Sequence, residues 1–217
     1  MTLTEKIHKR LRPYAKSRDF LRKKRTYYTI AGDTAYCISF ENHTHDVYVH
    51  FYLLPLYMRR EYHTLDYGER LNVLFREKLP VLQNSASEEE MDAWIDNLTG
   101  ILDSYVLPFF RQVDSPEKLL DFLAGDWEDQ KKYICCPPER RLLLKIYALL
   151  YLHRKEEARE AIAAYREELD RCSYFTDRLR HSLCREADNL ETMCGWTKEE
   201  LDALFAESIA FTRENCF

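Results

Sequence analysis

A change of hydrophobic rhythm divides this chain. From Thr26 to Tyr57 the residues alternate and are rich in Tyr, Val, Ile and Phe, the pattern of strands whose side chains point to opposite faces. From Ser87 to the C-terminus the apolar residues recur at helical spacing instead. That order predicts an α+β fold. An N-terminal helix precedes an antiparallel sheet of about four strands, and a helical C-terminal half packs on the sheet. It also sets an expected division into an α+β domain, residues 1–134, and a helical extension, residues 135–217.

Local signals place the elements. Thr4 is the expected cap of a helix from Glu5 to Lys16, with Leu3, Ile7, Leu11 and Tyr14 along one face and Pro13 as an interruption. Arg25–Ile30 and Thr34–Asn42 flank Ala31-Gly32-Asp33 and read as a hairpin. Asp46–Tyr57 is the third strand, bulky on both faces, and Pro55 marks where it leaves the ladder. His63–Leu71 is read as a fourth strand, with Gly68 as a bulge or point of close approach. The capping box Ser87-x-x-Glu90 opens a long helix that Pro108 is expected to end or bend. Ser115-Pro116 starts a short helix, and Cys135-Cys136-Pro137-Pro138 is a break. A helix pair, Glu139–His153 and Lys155–Leu169, has the alanine spacing of a single tetratricopeptide-type hairpin, and two more helices follow.

Several of these pieces recur in one known family. Phe20, Lys23-Lys24-Arg25-Thr26-Tyr27-Tyr28, Ile38-Ser39-Phe40, Tyr105-Val106-Leu107-Pro108-Phe109-Phe110 and Asp114-Ser115-Pro116-Glu117-Lys118-Leu119-Leu120 follow one another in order. In this the first part of the chain, about residues 3–125, resembles the bacterial family called domain of unknown function 4304. The chain departs from the family at Asp19, where the family often has Gly, and at Glu41, where it often has Gln. The resemblance implies an α+β fold and carries no catalytic residue across. It adds slight weight to an immunity or partner-binding role.

Composition narrows the classes further. The net charge of −5 weighs against a nucleic-acid or membrane surface spread over the whole protein. Seven cysteines without a C-x-x-C pair, no secretory leader and no apolar run of about 18 residues make reduced thiols in a cytoplasmic protein the expectation. With five glycines and no Walker loop, G-x-S-x-G, dinucleotide motif or H-E-x-x-H, the familiar catalytic and nucleotide-binding signatures are missing. No cofactor is expected.

The leading expectation is a non-catalytic protein-interaction module of bacterial origin, of the immunity or antitoxin kind. Tyr27, Tyr36, Tyr48, Tyr52, Tyr57 and Tyr62 would offer a tyrosine-rich sheet surface, since Tyr gives a large amphipathic contact area at small entropic cost. Residues 1–25 carry +8 and the remainder −13, so the expected protein partner is basic. No membrane partner is expected.

Two alternatives come from other residues. His43, His45 and His63 are candidate ligands of a metal-assisted hydrolase, against the simpler account of solvated turn histidines. Arg22, Lys23, Lys24 and Arg25, in the basic N-terminal stretch, are candidates for nucleic-acid contact, against a solvated face paired with acids elsewhere. Lesser candidates are Cys135 or Cys136, whose thiols nearby cations would activate, and Asp66, Glu69 and Arg70 as a polar acid–base site at a sheet edge, against a plain ion pair of Asp66 and Arg70 on one face of a strand.

Overall fold

The computed structural model describes residues 2–44 and 46–217, and the fold is α+β. The chain groups into two compact units. The first comprises Met1–Pro55, Thr64–Asp114 and Lys131–Cys135; the second comprises Leu56–His63, Ser115–Gln130 and Cys136–Phe217.

In the first unit, α1 (Leu3–Ser17) precedes six strands, all paired antiparallel: β1 (Leu21–Lys23), β2 (Thr26–Ala31), β3 (Thr34–Asn42), β4 (Asp46–Pro55), β5 (Gly68–Arg70) and β6 (Leu82–Gln83). The order is β1-β2-β3-β4-β5, and β6 pairs with the start of β4. The turn between β2 and β3 places Gly32 at φ 56°, the left-handed region that Gly enters without steric cost. Gly68 is a point of close approach, as expected. A Cβ there would lie 1.9 Å from the Phe51 carbonyl oxygen, so no side chain fits between β5 and β4.

The strand expected over His63–Leu71 is confined to Gly68–Arg70, and a short helix, α2 (Leu71–Leu74), follows it. Asn72, the second residue of this helix, is buried. Its Oδ1 accepts from the Val49 amide at 2.6 Å, and its Nδ2 donates to the Leu79 and Pro80 carbonyls, both at 3.2 Å. One side chain thus satisfies backbone groups of β4 and of the following loop.

One face of the sheet carries Tyr27, Tyr36, Phe40 and Phe51, against which helices pack. From α1, His8 sets its ring against Tyr27 and Phe40 at centroid distances of 5.3 and 5.4 Å. Ile7 and Leu11 are fully buried beside it. Further along, Phe51 meets Tyr105, Phe109 and Phe110, and the Tyr36 hydroxyl donates to the Val113 carbonyl at 2.7 Å.

The helix supplying those residues is not ended by Pro108. Helix α3 (Glu88–Ile101) opens with the expected capping box on Ser87, widens into a π-helical stretch at Leu102–Val106, and resumes as α4 (Leu107–Gln112). The wider turn precedes the proline, whose ring and missing donor would break a regular α-helical ladder.

The ends of α1 differ from expectation for identifiable reasons. Thr2, not Thr4, is the cap: its side chain accepts from the Glu5 amide while Glu5 accepts from the Thr2 amide. Thr4 is buried, and its hydroxyl donates to Asn42 Oδ1 at 2.6 Å. Pro13 lies inside the helix on its exposed side, where water can solvate the carbonyl it leaves unpaired.

At the C-terminus the chain turns through a Schellman motif. The Phe20 amide donates to the Ala15 carbonyl at 3.0 Å, the Asp19 amide donates to Lys16, and Asp19 takes φ 56°. This is the position where glycine would be expected on conformational grounds alone.

The second unit is helical: α5 (Pro116–Leu123), α6 (Trp127–Gln130), α7 (Pro138–Tyr151), α8 (Lys155–Arg171), α9 (Asp177–Cys194) and α10 (Lys198–Cys216). Helices α7 and α8 form the expected hairpin, with Ala148, Leu149, Ala158, Ala161, Ile162 and Tyr165 buried. Tyr57 stacks on Tyr151 at 4.6 Å, and Phe205 of α10 stands edge-on to both. Among the described residues no helix is long and apolar enough to cross a membrane.

Replacing Asp19 by Gly removes the left-handed penalty and is expected to stabilise the protein by about 0.5–1 kcal/mol. Urea unfolding of Asp19→Gly checks this, and a loss of stability would contradict the Schellman geometry.

Candidate functional site

The helical wheel of α1 has two basic sides, and the fold treats them differently. On one side Lys6 donates to Glu88 at 3.1 Å, Arg10 pairs with Glu88 and Asp92, and Arg18 pairs with Asp103 at 3.1 Å. The Tyr14 hydroxyl also donates to Asp103, at 2.9 Å. These exposed and half-exposed pairs tie α1 to the helix beginning at Glu88, and each contributes at most about 1 kcal/mol. On the other side, Lys9, Arg12 and Lys16 make no ion pair among the described residues. Their spacing places them on one stripe, beside the buried His8 and Ala15.

Strand β1 completes this second side. Its register pairs Arg22 with Tyr27, so both side chains lie on the sheet face that α1 covers. Only two residues, Lys24 and Arg25, separate the paired Lys23 and Thr26, and Lys24 holds φ 53°. A lysine in that conformation costs on the order of 1 kcal/mol. Between α1, Phe20 and the hairpin lies a cavity of about 700 Å³ lined by Glu5, His8, Lys9, Arg12, Ala15, Lys16, Phe20, Arg22 and Tyr27. That volume is within the range of small-molecule sites. Four cations stand over a floor of Ala15, Phe20 and Tyr27. Among the described residues Glu5 is the single carboxylate of the lining, and it is engaged by the Thr2 amide.

His8 is the buried polar group of the floor, 7% exposed. Its Nδ1 lies 3.2 Å from the Tyr27 hydroxyl, which also reaches the His8 carbonyl at 3.4 Å, while Nε2 has no hydrogen-bond partner among the described residues. Burial pushes the imidazole down to about 4, and the charges of Arg22 and Arg25 add to the shift. The ring is therefore neutral at pH 7. Burial also raises the Tyr27 hydroxyl, against the opposing influence of Arg22.

A second polar group occupies the opposite face of the sheet. Glu41 of β3, Tyr48 and His50 of β4 and Arg70 of β5 are brought together by register, Glu41 opposite Tyr48 and His50 opposite Arg70. Glu41 Oε2 lies 2.8 Å from His50 Nε2 and accepts from Arg70 at 3.0 Å. Arg70 lies over the Tyr48 ring, and His43 stands edge-on to it. Burial pushes Glu41 up, but His50, Arg70 and His43 outweigh this and hold its carboxyl below the usual range. Burial lowers His50 despite the opposing pull of Glu41.

The tyrosine surface does not form as expected. Tyr27, Tyr36, Tyr52 and Tyr57 are each at most 4% exposed, because alternation reports which rings share a face and not whether that face is covered. Tyr48 is half-buried, and Tyr62 is exposed.

Of the metal candidates, His43 is exposed beside Glu41 Oε1 at 3.4 Å. His63 belongs to the second unit, where its Nε2 donates to the Cys216 carbonyl at 2.9 Å and its ring meets Phe217. His45 lies outside the described residues. Among the described residues no three His, Cys, Asp or Glu side chains are placed to hold a metal ion.

Arg70 pairs with Glu41 across the sheet, not along its own strand. Cys135 is exposed, and burial of its sulfur together with Glu69 raises the thiol, opposite to the activation expected from neighbouring cations. Arg22 lines the cleft, whereas Lys23, Lys24 and Arg25 are not among the residues that line it, and the register turns Lys23 to the opposite face of the sheet. No family model matches the chain, and neither a curated protein nor a solved structure matches it.

The depressed His8 value predicts an acid effect on stability. The unfolded chain takes up a proton near pH 6.5 and the folded chain only near pH 4. The contribution of neutral His8 is complete above pH 6.5 and is lost as the pH falls toward 4. Between pH 7 and pH 5 the protein should lose about 1–2 kcal/mol more than a His8→Phe variant, measured by urea unfolding at both pH values. Equal losses would show that His8 is not held neutral.

Proposed function

We propose that this protein is a binding module for an anionic ligand, taken up in the cleft between α1 and the β1–β2 hairpin. The observation that carries this reading is the division of the α1 cations. Lys6, Arg10 and the capping residue Arg18 are paired with carboxylates, while Lys9, Arg12, Lys16 and Arg22 line one cavity and make no ion pair among the described residues. Cations gathered in a recess raise the local anion concentration and offer charge-assisted hydrogen bonds. Arg12 and Arg22 can hold an oxyanion bidentately, and Lys9 and Lys16 add point charge.

A binding role fits the lining better than a hydrolytic one. Among the described residues no serine, threonine or cysteine lines the cleft, and the His8 ring is placed against Tyr27. The aromatic rings beside the basic stretch are buried: Tyr27 and Tyr28 are 4% and 8% exposed. This speaks against a stacking surface for an extended nucleic-acid strand. The overall −5 charge limits attraction of polyanions elsewhere on the molecule.

Calorimetric titration with inorganic pyrophosphate at low salt tests the proposal. Binding is expected, weakening as salt is added, and Arg12→Glu with Lys16→Glu should reduce affinity at least about tenfold. Lys198→Glu, in the second unit, should leave it unchanged. Absence of binding to the wild type, or an equal loss in both variants, would contradict the proposal.

A further inference from the structure

We propose that the cleft takes a linear oligophosphate, a chain of anhydride-linked phosphate groups with charge at every group, laid along α1. This rests on the anion-binding reading and gives its ligand a shape. Three observations carry it.

The first is the spread of the cations. Lys9, Arg12 and Lys16 follow one stripe of α1 and line the cleft. At the α-helical rise Lys9 and Lys16 stand about 10 Å apart along the axis. A single phosphate would engage all the cations only if both lysines bent inward toward the arginines. That crowds four like charges and gives up side-chain freedom. A chain meets each cation where it stands.

The second is which cations hold the centre. Arg12 and Arg22 both act on the Tyr27 hydroxyl, each opposing the effect of its burial. They belong to opposite walls, α1 and β1, and share this neighbour. Lys9 and Lys16 lie to either side of Arg12 along the helix. The array therefore has three stations in a row: a lysine, a pair of guanidiniums and a second lysine. The planar guanidiniums grip a phosphate bidentately, and the lysines add point charge to the groups beside it.

The third is the closed floor. Ala15, Phe20 and Tyr27 are at most 8% exposed, whereas Lys9, Arg12, Lys16 and Arg22 are all exposed. What a ligand meets in this cleft is cationic along its length. A ligand that matches it bears charge throughout and needs no apolar seat. Glu5, one helical turn before Lys9, also lines the cleft and keeps one carboxylate oxygen on the Thr2 amide. Its charge opposes a chain that runs past Lys9, so the chain ends there and extends toward Lys16.

Calorimetric titration with inorganic phosphate, pyrophosphate, linear tripolyphosphate and cyclic trimetaphosphate separates shape from the mere presence of phosphate. Affinity should rise along the linear series, with tripolyphosphate at least about tenfold tighter than both phosphate and the compact ring. Lys9→Gln and Lys16→Gln, at exposed positions, should each weaken tripolyphosphate at least about fivefold and phosphate by no more than about twofold. Adenosine 5′-triphosphate, the same chain on a nucleoside, should bind no tighter than tripolyphosphate, and neither should a short oligothymidylate. If the ring binds as tightly as the linear chain, or the two lysine variants weaken phosphate and tripolyphosphate alike, the linear ligand is excluded while the anion site stands. Tighter binding of the nucleotide or of the oligothymidylate would likewise overturn it, in favour of a nucleotide or a nucleic-acid strand. If none of the four inorganic anions binds, the underlying reading falls with it.

Discussion

The packing of α1 on the sheet fixes everything the N-terminal part of this protein presents to a ligand. Ile7, Leu11 and His8 set the rotation of the helix by burying one face against Tyr27 and Phe40. Once that rotation is fixed, helical geometry leaves no freedom in where the cations go. Lys6, Arg10 and Arg18 meet the acids of Glu88, Asp92 and Asp103, and Lys9, Arg12 and Lys16 turn toward β1. The apolar contact supplies the energy of docking. The exposed ion pairs mainly select its orientation, since such pairs contribute little individually.

Placing His8 in that contact has a physical cost. A residue able to pair at two ring nitrogens is buried with one of them paired, beside arginines that disfavour its charged form. An apolar residue would fill the same space without an unpaired atom. The Glu41–His50–Arg70 group across the sheet contrasts with this. There the carboxylate lies between its partners, within hydrogen-bonding distance of both, and the cluster is internally paired.

Much of the fold was legible in the residues, because β2, β3 and β4 are runs of aromatic and β-branched residues set off by turn signals and Ser87 and Thr197 announce their helices. Strand β1 was not, since Leu21-Arg22-Lys23 is too short and too charged to show a period. The residues alone lead one to expect Pro13 to kink or end its helix and Pro108 to end or bend the next. Exposure on one, and a π-helical stretch before the other, let the helices continue. The tyrosines misled for a different reason: periodicity assigns a face, whereas covering that face is a tertiary event. Of the candidate site, the stripe of Lys9, Arg12 and Lys16 was present in the helical spacing. Arg22 joins it only through the register with Tyr27, and the unpaired Nε2 of His8 is a property of three-dimensional packing.

The central claim is that one stripe of α1 is reserved for a ligand while the other is spent on holding the helix. Amine acetylation followed by mass spectrometry reads both stripes at once. With pyrophosphate present, Lys9 and Lys16 should be protected while Lys6, already paired with Glu88, is unchanged. Protection spread evenly over the lysines, or none at Lys9 and Lys16, would contradict the account.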